Sequence, residues 1–85
     1  MATKTKPSAD GKWTTVAYAM LIGLRVKNVR YMTEGEALAM GWTKRPAVIE
    51  FDNGLQVYAS ADDEGNDGGA LFTTDEVRPV LPVLR

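Results

Sequence analysis

The residues best suited to chemistry lie in one acidic, glycine-rich loop that runs from Ser60 to Gly69. The loop carries four carboxylates, those of Asp62, Asp63, Glu64 and Asp67. Paired carboxylates can act as general acid and general base, provided that their surroundings shift their pKa values. A flexible loop rich in glycine leaves such groups in water, where we expect ordinary pKa values. We therefore predict a solvated turn at this loop, and no catalytic site.

The same loop also has part of the spacing of a calcium-binding loop. Oxygen-bearing side chains stand at alternate positions, at Asp62, Glu64 and Asn66. The EF-hand pattern requires glycine at its sixth position and glutamate at its twelfth. Those positions hold Asp67 and Thr73 here. Because both key positions fail, we expect no metal site and no cofactor.

The chain contains neither cysteine nor histidine. It therefore lacks disulfides, thiolate ligands, imidazole ligands and the usual neutral-pH general base. A serine or threonine nucleophile has no evident base beside it, and no phosphate loop or dinucleotide fingerprint is present. An enzyme is not expected from this composition.

Charge is divided unevenly along the 85 residues, although the formal net charge is only −1. Residues 1–45 hold eight basic and three acidic side chains, which gives +5. Residues 46–85 hold two basic and eight acidic side chains, which gives −6. If folding keeps the halves apart, opposite fields on different faces favour head-to-tail self-association that weakens as salt rises.

The basic half offers a possible surface for nucleic acid. Arg25, Lys27 and Arg30 follow each other on one predicted strand, and Lys44, Arg45 and the N-terminal lysines could extend the patch. Clustered cations suffice to bind phosphates, and an aromatic residue such as Tyr31 could add base stacking. The acidic half would repel the same backbone, so a solvated strand face is the simpler interpretation of these cations.

The elements that must position these groups begin after a basic arm, residues 1–12, which has too few apolar side chains to fold. From Trp13, apolar residues recur at helical spacing as far as Leu24 and predict a helix that faces the core. Gly23 suits the positive φ of a helix C-terminus. Tyr18 and Ile22 fall off this face and have no place to be buried. The apolar run is too short to span a bilayer and has no cleavage site typical of a secretion signal.

A strand follows from Leu24 to Tyr31, and its alternation slips near Lys27, as a β-bulge would cause. Thr33 and Glu36 then match a capping box at the start of a short helix. That helix ends at Gly41, and we expect Trp42 to pack on the core.

A hairpin is predicted around Asp52-Asn53-Gly54. Only a three-residue loop, with Gly54 in the left-handed conformation, pairs Ile49 with Val57 and gives a coherent apolar face. Pro79 and Pro82 make the C-terminal segment an edge strand or an extended tail.

These elements predict an α+β fold over residues 13–85. It consists of a small curled antiparallel sheet, or an SH3-like open barrel, of 3–5 strands with one or two short helices.

Four sequence features together resemble a group of short bacterial and phage proteins that have no established activity. They are V-R-Y-M-T from Val29 to Thr33, Gly41-Trp42 after a capped helix, an Asp-Asn-Gly hairpin, and D-D-E-G-N-x-x-G-A-L-F from Asp62 to Phe72. The resemblance covers residues 20–74, and the loop is its most specific part. It implies a phage or bacterial source, and a location in the cytoplasm or the virion, but no mechanism.

The expected function is a non-enzymatic accessory module that docks on a larger protein or particle, as an inhibitor or assembly component. Besides the charged residues above, the candidate docking segment is the apolar tail, with Val80, Leu81, Val83 and Leu84. Self-association is a second expected mode of contact, a membrane partner is not expected, and a small nucleic-acid-binding protein is the alternative.

Overall fold

The computed structural model describes residues 9–85, which form two helices and five strands. In chain order they are α1 (Ala9–Leu21), β1 (Val26–Tyr31), α2 (Glu34–Ala39), β2 (Ala47–Phe51), β3 (Gln56–Tyr58), β4 (Leu71–Phe72) and β5 (Val80–Leu81). The predicted α+β class is confirmed. The strands are divided between a three-stranded antiparallel sheet, β1-β2-β3, and a two-stranded sheet, β4-β5, and neither sheet closes into a barrel.

The register of the larger sheet follows the sequence pattern. In the hairpin, Ile49 pairs with Val57, and the Phe51 N–H donates to the Leu55 carbonyl at 2.9 Å. Gly54 has a φ of 93°, so the predicted three-residue loop is confirmed. Between β1 and β2 the register shifts between Val26 and Asn28, which confirms the predicted bulge.

Helix α2 begins with the predicted capping box. The Thr33 hydroxyl accepts from the Glu36 N–H at 3.1 Å, and the Glu36 carboxylate accepts from the Thr33 N–H at 2.8 Å. Gly41 has a φ of 77° after the helix, and Trp42 is only 5% exposed, as expected. These reciprocal bonds satisfy two amides that the first turn leaves free.

The buried core lies on one face of the sheet, under α2. Met32, Ala37, Trp42 and Val48 form one buried cluster. Val48 pairs with Tyr58, whose ring meets Trp42 edge-on at 5.9 Å. Ile49 and Val57 lie on the opposite face and are only half-buried. The apolar face on which the hairpin register was predicted is therefore not the face that holds the main core.

Helix α1 differs most from expectation. It begins at Ala9 and not at Trp13, so the predicted arm cannot run to residue 12, while residues 1–8 lie outside the described residues. The prediction that its apolar face packs on the core is wrong. Trp13 is 62% and Tyr18 64% exposed, and over residues 11–21 Val16 alone is half-buried. Gly23, with a φ of 76°, follows the helix as predicted.

The C-terminal segment is held against the rest of the molecule. In β5, Leu81 pairs with Leu71 and Val80 with Phe72, which confirms the predicted extended edge structure. Farther along, Leu84 and Arg45 exchange backbone hydrogen bonds of 2.7 and 2.9 Å. The Tyr31 hydroxyl donates to the Pro82 carbonyl at 2.7 Å. Between residues 9 and 85, neither helix has the length and apolar character needed to cross a membrane.

Candidate functional site

Asp67 of the acidic loop anchors that loop to the segment after α2. Its carboxylate accepts from the amides of Thr43 at 3.1 Å, Lys44 at 3.0 Å and Gly68 at 2.8 Å, and from the Thr43 hydroxyl at 2.9 Å. Burial raises the pKa of Asp67, but these hydrogen bonds outweigh it and hold the pKa below its usual range. The loop packs closely here, because a Cβ at Gly68 would lie 2.7 Å from the Lys44 carbonyl oxygen. Asp67 is therefore a structural residue.

Asp62 shapes the interior of the same loop. Its carboxylate accepts from the Asn66 side-chain amide at 2.9 Å and from the backbone amides of Asn66 and Glu64 at 3.1 Å. The Asn66 bonds chiefly lower the pKa of Asp62. The expectation of ordinary pKa values for this loop is therefore wrong for Asp62 and Asp67.

Asp63 and Glu64 are exposed at the loop surface. Over residues 9–85, the fold does not gather three or more acidic side chains into a group that could hold a metal ion. Since two of the four carboxylates are bound to amides of the protein itself, the loop presents fewer free acidic groups than its sequence suggests.

Arg30 of β1 is the centre of an ion-pair network across the face under α2. It donates to both carboxylate oxygens of Glu36, at 2.8 and 3.0 Å, and to Glu50 at 3.0 Å. These bonds raise the pKa of Arg30 and lower that of Glu36 to about 2. Arg30 and Glu36 also line a concavity of about 270 Å³ between α2 and the sheet. Because its guanidinium is already paired, Arg30 is not a free cation for a phosphate.

Arg25 and Lys27 remain exposed at the start of β1. In the part of the chain that the structure describes, neither side chain forms an ion pair. The predicted basic patch is thus reduced to these two side chains on the strand. Arg45, which was expected to extend it, donates instead to the backbone oxygens of Met32 and Arg85.

The predicted apolar docking tail is largely engaged within the molecule. Leu81 and Val83 are half-buried, and Val80 and Leu84 are 37% and 38% exposed. Their backbone pairing with β4 and Arg45 leaves no extended free segment. These four residues therefore hold the C-terminal segment against the rest of the fold and do not form a free docking peptide.

Among the described residues, five exposed large apolar side chains belong to α1, which sequence analysis assigned to the core, and to the turn after it. We call Trp13, Tyr18, Met20 and Leu21 of α1, together with Ile22 of the turn, the α1 surface. The radius of gyration is 15.0 Å, against about 12 Å for a compact domain of this length. The signal was present in the sequence, because Tyr18 and Ile22 extend the apolar character of the helix beyond one face.

A second exposed apolar area lies next to α1 along the chain. Val26 and Val29 of β1 are 57% and 56% exposed. They pair with Phe51 and Ile49, two positions apart on β2, and therefore share one face of the sheet. We call Val26 and Val29 the β1 valine face. Together with the α1 surface, it is the candidate functional site.

Comparisons of the chain with protein-family models, curated proteins and solved structures gave no match.

Proposed function

We propose that this protein is a non-enzymatic protein-binding module whose docking element is the α1 surface. The observation that carries the proposal is the exposure of four large apolar side chains on one helix and of a fifth, Ile22, in the turn after it. A helix that is apolar on most sides is normally covered by other protein. Contiguous exposed apolar patches typically mark interaction sites. An apolar helix recognised in a hydrophobic groove is a common mode of peptide recognition.

The size of the α1 surface sets what a partner must supply. Trp13 and Tyr18, at 62% and 64% exposure, leave roughly 200–300 Å² of surface in water. Burying it is worth about 5–7 kcal/mol at about 25 cal/mol per Å². Association costs about 4–15 kcal/mol in lost freedom, so these two side chains alone do not sustain a stable complex. A partner must also cover Met20 and its neighbours, or the β1 valine face.

Charge around the helix adds a preference to this contact. Lys12 lies beside Trp13, with its ammonium 5.4 Å from the ring centroid, and Arg25 and Lys27 follow the helix. An apolar element flanked by cations favours a groove with acidic residues at its rim, whereas a second copy of the chain docks best where salt screens the repulsion between these cations. The nucleic-acid alternative loses support, because Arg30 is paired with Glu36 and Glu50.

A capture experiment with matched variants tests the proposal. Immobilised wild-type protein, Met20→Asp and Thr74→Asp are exposed to a nuclease-treated lysate. Thr74 is exposed between β4 and β5, outside both the α1 surface and the β1 valine face. We expect Thr74→Asp to retain the proteins captured by wild type and Met20→Asp to lose them. Equal capture by both variants contradicts a role of α1, and capture that disappears with nuclease favours nucleic acid.

A further inference from the structure

We infer that the partner which binds the α1 surface and the β1 valine face is a second copy of the chain. In this dimer, α1 of each copy lies on the β1 valine face of the other. The inference rests on the proposed function, because it uses the same surface and names its partner. It describes an exchanged, twofold dimer in which each subunit contributes one helix and one sheet face.

Among residues 9–85, the sheet has an apolar area without a covering layer at one end of one face. One face carries the buried cluster with Ala37 of α2. On the other face, the end near Tyr31 and Ala47 is closed, since Ala47 is buried and Tyr31 bonds to Pro82 of the C-terminal segment. The opposite end, at Val26 and Val29, is open to solvent. Apolar sheet faces are normally buried against a helix or a second sheet.

The open end of this face has the pattern that receives a helix. Across β1 and β2, Val26 lies opposite Phe51 and Val29 opposite Ile49. The bulge makes this possible, because it brings two valines three positions apart to the same side of the strand. The four side chains form an apolar patch two strands wide, and Phe51 and Ile49 are themselves only half-buried.

Among the described residues, α1 is the helix whose large apolar side chains are left exposed by its own chain. The Ile22 N–H donates to the Tyr18 carbonyl at 2.9 Å, and the Leu24 N–H to the Leu21 carbonyl at 3.3 Å. With Gly23 at a φ of 76°, these bonds fix the turn between α1 and β1. When two copies exchange their helices, as in domain swapping, the α1 surface of each copy contacts the β1 valine face of the other.

The area available fits a dimer better than it fits one helix contact. A 13-residue helix is about 20 Å long. A single such contact is small beside the ~800 Å² that each partner buries in a stable complex. Exchange doubles the contact, because each subunit buries both its helix and its valine face against the partner.

Chemical cross-linking tests the geometry directly, since the chain has no cysteine of its own. Copies carrying only Met20→Cys are mixed with copies carrying only Val29→Cys and treated with a short bismaleimide. We expect the mixed species to exceed both homodimers. A product that joins only Met20→Cys to Met20→Cys overturns the inference in favour of helix–helix pairing. A chain that carries both Met20→Cys and Val29→Cys is treated in the same way at low concentration. An intrachain product there overturns the inference in favour of α1 folding back on the sheet of its own chain.

Sedimentation velocity over a concentration series supplies the second readout. Val29→Thr keeps a β-branched side chain but places a hydroxyl in the contact, and we expect it to weaken dimerisation about fivefold to tenfold. Lys27→Thr, also in β1, is the matched control and should leave the dimer intact. A wild-type chain that stays monomeric throughout overturns the inference. The proposed function survives that result if the Met20-dependent capture is still observed, so the two failures are distinguishable.

Discussion

Asp67 and Asp63 show how neighbours decide what a carboxylate does. Both belong to one acidic loop, yet Asp67 accepts four hydrogen bonds while Asp63 is exposed. Three of the Asp67 bonds come from Thr43 and Lys44, more than twenty positions earlier in the chain. Composition predicted the loop and its glycines. It could not predict these donors, because a tertiary contact of that separation leaves no local pattern.

Gly54 provides the sharpest prediction at a single residue. Its φ of 93° lies in the region that L-residues rarely adopt, and a side chain there would meet open space. The strain is therefore conformational, and Gly54→Val should cost about 1–2 kcal/mol of unfolding free energy. Chemical denaturation measures this loss. Gly35→Ala, in α2 with no positive φ, is the control and should not destabilise the chain; equal losses would contradict the hairpin geometry.

Glu36 predicts how stability depends on pH. The hydrogen bonds from Arg30 lower the pKa of Glu36 to about 2 from an ordinary value of 4.5. The contribution of Glu36 to the free energy of unfolding is therefore complete above about pH 4.5 and is lost as the pH falls toward 2. We expect the denaturation midpoint to fall over that window, and to fall less steeply in Glu36→Gln. Glu76→Gln, an exposed site, should follow wild type, and an unchanged slope in Glu36→Gln would refute the assignment.

At the scale of elements, local patterns predicted local structure well. The Thr33–Glu36 capping box, the bulge before Asn28 and the hairpin at Gly54 each depend on a few neighbouring residues, and each is confirmed. The position of α1 depends on what covers it. Periodicity identified its apolar residues correctly but could not say whether this chain or another buries them, and the candidate site was missed for that reason.

The exposure of α1 predicts its local stability. Isolated helices of this length are marginal in water. The helix has little core contact to support it, whereas β2 contains the buried Ala47 and Val48. In a dilute solution we expect amide hydrogens of α1 to exchange far faster than those of β2, as measured by hydrogen–deuterium exchange. Protection should rise in α1 at high protein concentration, and equal protection of α1 and β2 at dilution would contradict its isolation.

For the whole molecule, folding mixes the charges that the sequence separates. Arg30 from the basic half pairs with Glu50 from the acidic half, and Asp67 binds the backbone beside Lys44. The predicted separation of opposite fields onto different faces is therefore weakened. The apolar α1 surface is the better candidate for self-association.

This change of driving force reverses a prediction about salt. An electrostatic head-to-tail contact weakens steeply as salt rises. An apolar exchange that brings Lys12, Arg25 and Lys27 of two copies together should instead hold or strengthen, because salt screens their repulsion. Light scattering from low to high sodium chloride measures the difference. Loss of association at high salt would show that self-association depends on attraction between the basic residues 1–45 and the acidic residues 46–85.

The two tryptophans lie in contrasting surroundings, Trp13 at 62% exposure on α1 and Trp42 at 5% in the core. The chain therefore carries two tryptophan fluorophores, one exposed to water and the other in the packed interior. Emission from Trp13 should lie at longer wavelength and be open to a soluble quencher, while that from Trp42 should be shifted to the blue and shielded. A blue shift of the Trp13 band, with the Trp42 band unchanged, would then signal docking of the helix in a chain whose core stays folded.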